Sequence, residues 1–241
     1  MIAAIVQARM GSTRLPGKVS RVAAGQTFLE HLIERLTFAR CIDRIVVATT
    51  THAGDDVIAR ICRGRQISCF RGSEHDVLDR YYRAARQAGA DLVVRVTADC
   101  PMVDPEIVDR MVRVYKGHPD AYDLVTNRHP LTFPDGLDVD VMPIGALEAA
   151  WERADQPHQR EHVIPYFWEG GMRVKNVEHS ENLFLTQRWT VDYPEDAELV
   201  AAVFDRLYRP GQPFSMDDIL AFMKSHPHIG RMNAKYLPSL A

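Results

Sequence analysis

The sequence is short of several things. Its four cysteines, Cys41, Cys62, Cys69 and Cys100, are scattered with no C-x-x-C pair, so reduced thiols are the expected state. No apolar run approaches the length of a membrane span. Residues 2–6 are too few for a signal-peptide core and no basic stretch precedes them. A soluble, cytoplasmic protein without a membrane partner is therefore expected. Basic excess is also missing: the formal net charge is −3, which argues against a general binder of nucleic acid or acidic membrane. There is no internal repeat, low-complexity tract or obvious linker.

What is present is ordinary globular composition, 46% hydrophobic and 25% charged, in 241 residues. That length suits one domain over 1–241 with a sizeable core. In the first half, short apolar runs alternate with amphipathic segments, the pattern of βαβ units around a mainly parallel sheet. Strands are expected at 2–7, 44–49, 67–71 and 91–97, with helices at 27–40, 55–63 and 76–88. In the first helix Phe28, Leu32, Ile33 and Leu36 share a face, with Glu30, Glu34 and Arg35 opposite. Asp104, Pro105 and Glu106 read as N-cap, first-turn proline and first-turn acid of a helix to about 115.

After Gly117 the rhythm changes, and 118–185 reads as a mixed segment inserted into the α/β domain. Strands are expected at 122–126, 172–177 and 185–191, with an antiparallel one at 137–142. Helices are expected at 145–153, 159–168 (interrupted by Pro165), 194–208 and 215–225.

The most informative stretch is the opening. The apolar run 2–7 breaks into a loop, Ala8 to Lys18, holding Gly11, Ser12, Pro16, Gly17 and the cations Arg9, Arg14 and Lys18. Delivery of such a loop by a buried strand is a common way for an α/β protein to hold a polyphosphate. It is not a P-loop: five residues separate Gly11 from Gly17, and Val19 follows Lys18 where Ser or Thr would ligate magnesium. The dinucleotide pattern G-x-G-x-x-G is absent too. Charge therefore comes from side chains, helped by backbone N–H groups near Gly11 and Ser12. A cation about 4 Å from a phosphate charge contributes roughly 4 kcal/mol before desolvation at an effective dielectric near 20.

The motif Ala8-Arg9-x-Gly11-Ser12-x-Arg14-Leu15-Pro16-x-Lys18 resembles the signature loop of the CMP-sugar synthetases, the acylneuraminate and 3-deoxy-manno-octulosonate cytidylyltransferases, and is most similar to their spore-coat polysaccharide, SpsF-type branch. Further blocks resemble that branch in order and spacing: Phe70-Arg71-Gly72-Ser73 leading to Asp76–Tyr81, then Val96-Thr97-Ala98-Asp99-Cys100-Pro101. Later come Asp135–Val139, Glu161-His162-Val163 and Thr190–Asp196. The resemblance covers residues 1 to about 205. It implies a three-layer, Rossmann-like nucleotide-diphospho-sugar transferase fold, Mg²⁺-dependent transfer of CMP from CTP to an acidic sugar, and a homodimer joined through the middle segment.

Asp99 follows an apolar strand, where open α/β sheets place ligand-binding residues. Mg²⁺ takes one or two carboxylates beside phosphate oxygens. Asp192 is the second candidate, although its local sequence equally suits a helix cap ahead of Pro194. The resemblance implies metal binding for both, and phosphate contacts for Ala8, Arg9, Gly11, Ser12, Arg14 and Lys18. Likeness to the family also assigns the base to Arg71, Gly72 and Ser73 and to Asp79 and Arg80, while Asp79 and Arg83 equally fit an i,i+4 ion pair. The sugar is expected near Thr97, Asn127, Asp135 and Asp138. Arg9, Lys18 and Asp99 are the expected catalytic groups, and no side chain stands out as general base.

Two other readings stay open. Asp138-Val139-Asp140 matches the D-x-D pattern of metal-dependent glycosyltransferases, both acids sharing one strand face. A non-catalytic nucleotide- or sugar-binding protein on the same scaffold is the other. His158 and His162 share a helix face without a third ligand, and Glu195 and Asp196 read as charges complementing a helix dipole.

Overall fold

The computed structural model describes residues 1–238; the last three positions of the expected 1–241 domain lie outside them. Among the described residues the strands are β1 Ile2–Gln7, β2 Val22–Ala23, β3 Gln26–Thr27, β4 Arg44–Thr50, β5 Ser68–Gly72, β6 Leu92–Thr97, β7 Leu124–Thr126, β8 Asp140–Pro143 and β9 Val174–Asn176. The helices are α1 Phe28–Thr37, α2 Asp56–Gly64, α3 Val77–Ala88, α4 Pro105–Gly117, α5 Ile144–Arg153, α6 Pro157–His162, α7 Pro165–Glu169, α8 Pro194–Leu207, α9 Met216–Ser225 and α10 Pro227–Gly230. No helix among them is long and apolar enough to cross a membrane.

Seven strands form one sheet in the order β5-β4-β1-β6-β8-β7-β9. Only β8 runs against its neighbours, pairing antiparallel with both β6 and β7. The three-layer, mainly parallel α/β fold read from the sequence is the one observed. Strand alternation explains the layers. Ile2, Ala4 and Val6 of β1 face a core shared with α1, α4 and α8, while Ala3 and Ile5 face one shared with α3, α5 and α7. Helix starts follow local chemistry. Thr27 and Glu30 make a reciprocal capping box, Asp76 accepts from the Asp79 amide at 2.9 Å, and Asp104 caps the helix that opens at Pro105. Residues 118–185 supply β7, β8 and β9 to the same sheet.

The structure departs from the sequence reading at four places. Residues 185–191 are not a strand. Leu183–Leu185 is a 3₁₀ turn, and the extended chain beyond it pairs with loops through the Asp135–Arg188 bridge and the Val191 amide on the Asp99 carbonyl. Trp189 and Val191 are buried, which produced a strand-like alternation without a neighbouring strand. The interruption expected at Pro165 within 159–168 is a full break: α6 ends at His162, Val163 takes φ 69°, and α7 opens with Pro165 at its first position. The antiparallel strand expected at 137–142 begins only at Asp140, although Leu137, Val139 and Val141 are buried as anticipated. Arg35, expected on an exposed face, is buried and donates to the Val103 and Phe214 carbonyls, both at 2.7 Å.

Candidate active site

The loop after β1 is held from three directions. Its Met10 amide donates to Asp55 Oδ1 at 2.7 Å, and the Met10 carbonyl accepts from the amides of Ser12 and Gly17 at 2.9 and 3.0 Å. Leu15 is buried in the core, and Gly17 takes the left-handed conformation, φ 72°, that a side chain disfavours. Curled around one carbonyl and anchored by Leu15, the loop carries Arg9, Ser12, Arg14 and Lys18 along one wall of a cavity of about 470 Å³. The opening lies beyond the C-terminal ends of β1 and β6, the position an open α/β sheet uses for ligands.

The centre of the cavity is an ion cluster. Lys18 Nζ lies 3.0 Å from Asp99 Oδ2 and 2.9 Å from Asp192 Oδ1. Arg14 reaches the other Asp192 oxygen at 2.9 Å. Burial alone would push the Asp99 carboxyl up, but Lys18 and the Thr97 hydroxyl, 2.5 Å away, outweigh it and hold the acid below the usual carboxylate range. The Asp192 carboxyl is lowered in the same way, burial being outweighed by Lys18 and Arg14. For Lys18, burial is overcome by the two carboxylates, and its pKa rises.

Arg188, absent from the expected site, ties this cluster together. Its guanidinium contacts Asp135 at 2.6 Å, Asp196 at 3.1 Å and Asp192 at 3.3 Å. Asp196 is fully buried and accepts the Asp192 and Tyr193 amides at 2.9 and 3.0 Å. It is thus the fixed point that sets the Asp192 backbone, a larger part than the dipole-complementing one read from sequence. The only local signal was spacing: Arg188, Asp192 and Asp196 recur every four residues.

At the far end Arg128 pairs with Asp138 at 3.0 Å, and Arg95 pairs with Asp140 at 2.8 Å. Burial and neighbouring Asp138 push the Asp135 carboxyl up to about 7 despite Arg188. Asp140 is fully buried and also accepts from Thr126 at 2.6 Å, so it is sealed into a core ion pair. Asp138 faces the cavity and Asp140 does not, which removes the shared-face geometry a D-x-D metal site needs. Glu161 and His162 form the opposing wall, exposed, and their side chains have no hydrogen-bond partner among the described residues. The turn that aims them is a γ-turn centred on Val163, φ 69° and ψ −58°, closed by Ile164 N donating to the His162 carbonyl at 2.8 Å. This is the rare, strained form, and a β-branched residue is poorly suited to it. The Glu161–His162 block was visible in the sequence, but nothing local gave it a role.

Of the residues singled out from sequence, Ala8, Arg9, Ser12, Arg14 and Lys18 line the cavity on the loop side. Thr97, Asp99, Asp135, Asp138 and Asp192 line it on the sheet side. The remainder lie outside its lining. Gly11 sits in the loop with Glu74 as its near neighbour. Asn127 is buried, bracing the backbone of Leu137 and Val139 at 2.8 and 2.9 Å. Arg71 is committed to Asp56 and to the Thr50 and His52 carbonyls. Asp79 is held by Arg83 and by Trp151 Nε1 at 2.9 Å, so the ion-pair alternative is the one its geometry matches. Arg80 is fully buried, donating to the Ser73 carbonyl, with Nε and one terminal nitrogen unpaired. Gly72 packs so closely on Phe70 and Arg80 that a Cβ there would meet Phe70 at 2.8 Å.

Whether the site suits a divalent cation follows from its donors. Two carboxylate oxygens from distant segments converge on the single point now taken by the Lys18 ammonium. No group of three or more His, Cys, Asp or Glu side chains able to hold a metal occurs among the described residues. Two hard oxygen donors with open positions fit Mg²⁺, which keeps waters and takes the rest of its shell from substrate.

The chain is similar to the spore coat polysaccharide biosynthesis protein SpsF of Bacillus subtilis, with 33% identity over 212 residues, 84% of this chain and 85% of that protein. It is also similar to a 3-deoxy-manno-octulosonate cytidylyltransferase of Trichlorobacter lovleyi, 35% identical over 119 residues, covering 49% and 46% of the two chains. Among solved structures, a cytidylyltransferase from Leptospira borgpetersenii superposes with a TM-score of 0.90 at 32% identity, covering 95% of each chain. The cytidylyltransferase family model matches residues 3–201, a span that takes in both the opening loop and the Asp192 segment. This chain belongs to the cytidylyltransferase family.

Proposed function

We propose that this protein transfers CMP from CTP to an acidic sugar and releases pyrophosphate, with Mg²⁺ as cofactor. The observation that carries the reading is the convergence of Arg14 and Lys18 on Asp99 and Asp192 in one cavity beyond the sheet. The relatives named for cytidylyl transfer to 3-deoxy-manno-octulosonate support the acidic acceptor. The glycosyltransferase alternative rests on Asp138 and Asp140, and burial of Asp140 leaves it without a second exposed carboxylate.

Arg9, Arg14 and Lys18 bind the triphosphate and orient it across the loop. Their positive charge favours the oxygens on which negative charge grows as pyrophosphate leaves. Arg14 and Lys18 pair with Asp192 and Asp99, so triphosphate binding exchanges carboxylate partners for phosphate ones. Asp99 and Asp192 would hold Mg²⁺, which would supply charge neutralisation and Lewis-acid polarisation of the phosphate. The acceptor hydroxyl attacks the α-phosphorus in line; its oxygen–phosphorus bond forms as the bond to the β-phosphate oxygen breaks, and the hydroxyl proton passes to solvent. Positioning and electrostatics carry the reaction, and no covalent enzyme intermediate is needed.

The test is pyrophosphate release from each of CTP, UTP, ATP and GTP, crossed with sugar acids including 3-deoxy-manno-octulosonate and N-acetylneuraminate. Release with CTP and a sugar acid, abolished by chelation of Mg²⁺, is expected. Turnover of a nucleoside-diphosphate sugar in place of CTP, with no pyrophosphate released, would sink the reading. A homodimer through 118–185 is proposed on the family resemblance, and a monomer mass by light scattering would remove it.

A further inference from the structure

The family match ends at residue 201, inside α8, yet the chain beyond it returns to the site. After α9 and α10, residues 231–236 lie against the segment that carries Asp192. Asn233 is 2% exposed, and its Nδ2 donates to the Arg188 carbonyl at 2.9 Å and to Asp196 Oδ1 at 2.8 Å. Three residues on, the Tyr236 ring stacks on Tyr193 with centroids 3.8 Å apart and planes 5° from parallel. Glu195 clamps the same turn, accepting from Lys235 at 2.7 Å and from the Tyr236 hydroxyl at 3.2 Å.

Each contact stands one step from a group placed in the site. Asp196 accepts the Asp192 amide, so the Asn233 bond fixes the anchor from which the Asp192 carboxylate projects. Tyr193 carries the Arg14 guanidinium 5.1 Å from its ring centroid, so the Tyr236 stack fixes the surface on which that cation rests. Apolar packing alone would need neither a buried amide nor a coplanar stack. A buried Asn is retained where its hydrogen bonds orient something, and here they orient Asp196 and Arg188.

We propose that residues 231–236 form a positioning strap for the nucleotide end of the site. Asn233 acts through Asp196 on Asp192, and Tyr236 acts through Tyr193 on Arg14. The inference rests on the assignment of Arg14 and Asp192 to CTP and its metal.

The test measures CTP binding by titration calorimetry in Mg²⁺, with no acceptor present, alongside KM values and melting temperature. Asn233→Ala and Tyr236→Ala are each expected to weaken CTP about tenfold, as loss of alignment does. Asn233→Ala also removes a buried donor from Asp196, so a modest fall in its melting temperature is expected, while the acceptor KM should stay near wild type in both variants. Tyr236→Phe, which keeps the stack, should restore CTP affinity; Tyr236→Leu substitutes if the alanine variant fails to fold. Unchanged CTP affinity in both Asn233→Ala and Tyr236→Ala overturns the strap. So does parallel worsening of CTP affinity, acceptor KM and melting temperature, which marks a structural role only. Failure of the wild-type protein to bind CTP strikes the proposed function instead.

Discussion

At the scale of single residues, Lys18 is the most consequential side chain. It neutralises two carboxylates that lie within 3.0 Å of its nitrogen and would otherwise repel one another. Lys18→Met keeps most of the apolar stem and removes the charge. Turnover is expected to fall about 10²-fold or more, the scale of losing one preorganised electrostatic contact. The same change frees the point between Asp99 and Asp192, so Mn²⁺ binding without nucleotide, read by electron paramagnetic resonance, should strengthen. Weaker Mn²⁺ binding in the variant would contradict the paired-carboxylate assignment. Charge type and spacing made Arg9, Arg14, Lys18 and Asp99 legible in the sequence, because a basic loop after a buried strand has few other uses. Arg188 was not legible: its partners Asp135 and Asp196 lie 53 and 8 positions away, and only folding brings them to one guanidinium.

Elements show a different division. Helices α1, α3 and α4 start where their caps predict, because capping is local chemistry among residues two or three apart. The break between α6 and α7 has a local part, Pro165 at the first position of α7, and a tertiary part that sets its geometry. Arg160 is fixed to Asp76 of the loop before α3, and Val163 and Ile164 are buried beneath the turn. Packing outweighs a backbone strain of about 1–3 kcal/mol at Val163 and in doing so points Glu161 and His162 at the cavity. Their exposed, unpaired polar groups suit hydroxyl or amino substituents of the acceptor. His162→Ala is therefore expected to raise the acceptor KM several-fold with the CTP KM unchanged. A rise in the CTP KM alone would place the pair on the nucleotide instead. The extended chain at 185–191 shows the converse: the apolar–polar alternation of Trp189, Thr190 and Val191 in sequence looks like a strand, but all three are buried and the structure supplies loops, not strands, as neighbours.

Over the whole molecule, stability and function pull against each other at the acidic end of the cavity. Asp135 has a pKa of about 7 in the folded protein against about 3.9 in an unfolded chain. Between those values the unfolded chain releases a proton that the folded one keeps, so this group lowers stability as pH rises from about 4 to 7. Asp99 and Asp192 act in the opposite sense: their lowered pKa values add stability above about pH 4, lost on acidification. Asp135→Asn should therefore gain melting temperature relative to wild type on going from pH 5 to pH 8. A difference that stays constant or reverses over that range would refute the burial effect.

The sequence alone determined the layered α/β class, most helix starts, the basic loop after β1 and the candidate carboxylates, because periodicity, caps and charge clusters are read from neighbours along the chain. Only the tertiary structure decided which acids share the cavity, that Asp140 is sealed while Asp138 is open, and that residues near the C-terminus brace Asp192. Those outcomes depend on the distance and burial of groups far apart in sequence. Both the cost of desolvating a charge and the partner that offsets it are fixed when the chain closes around them.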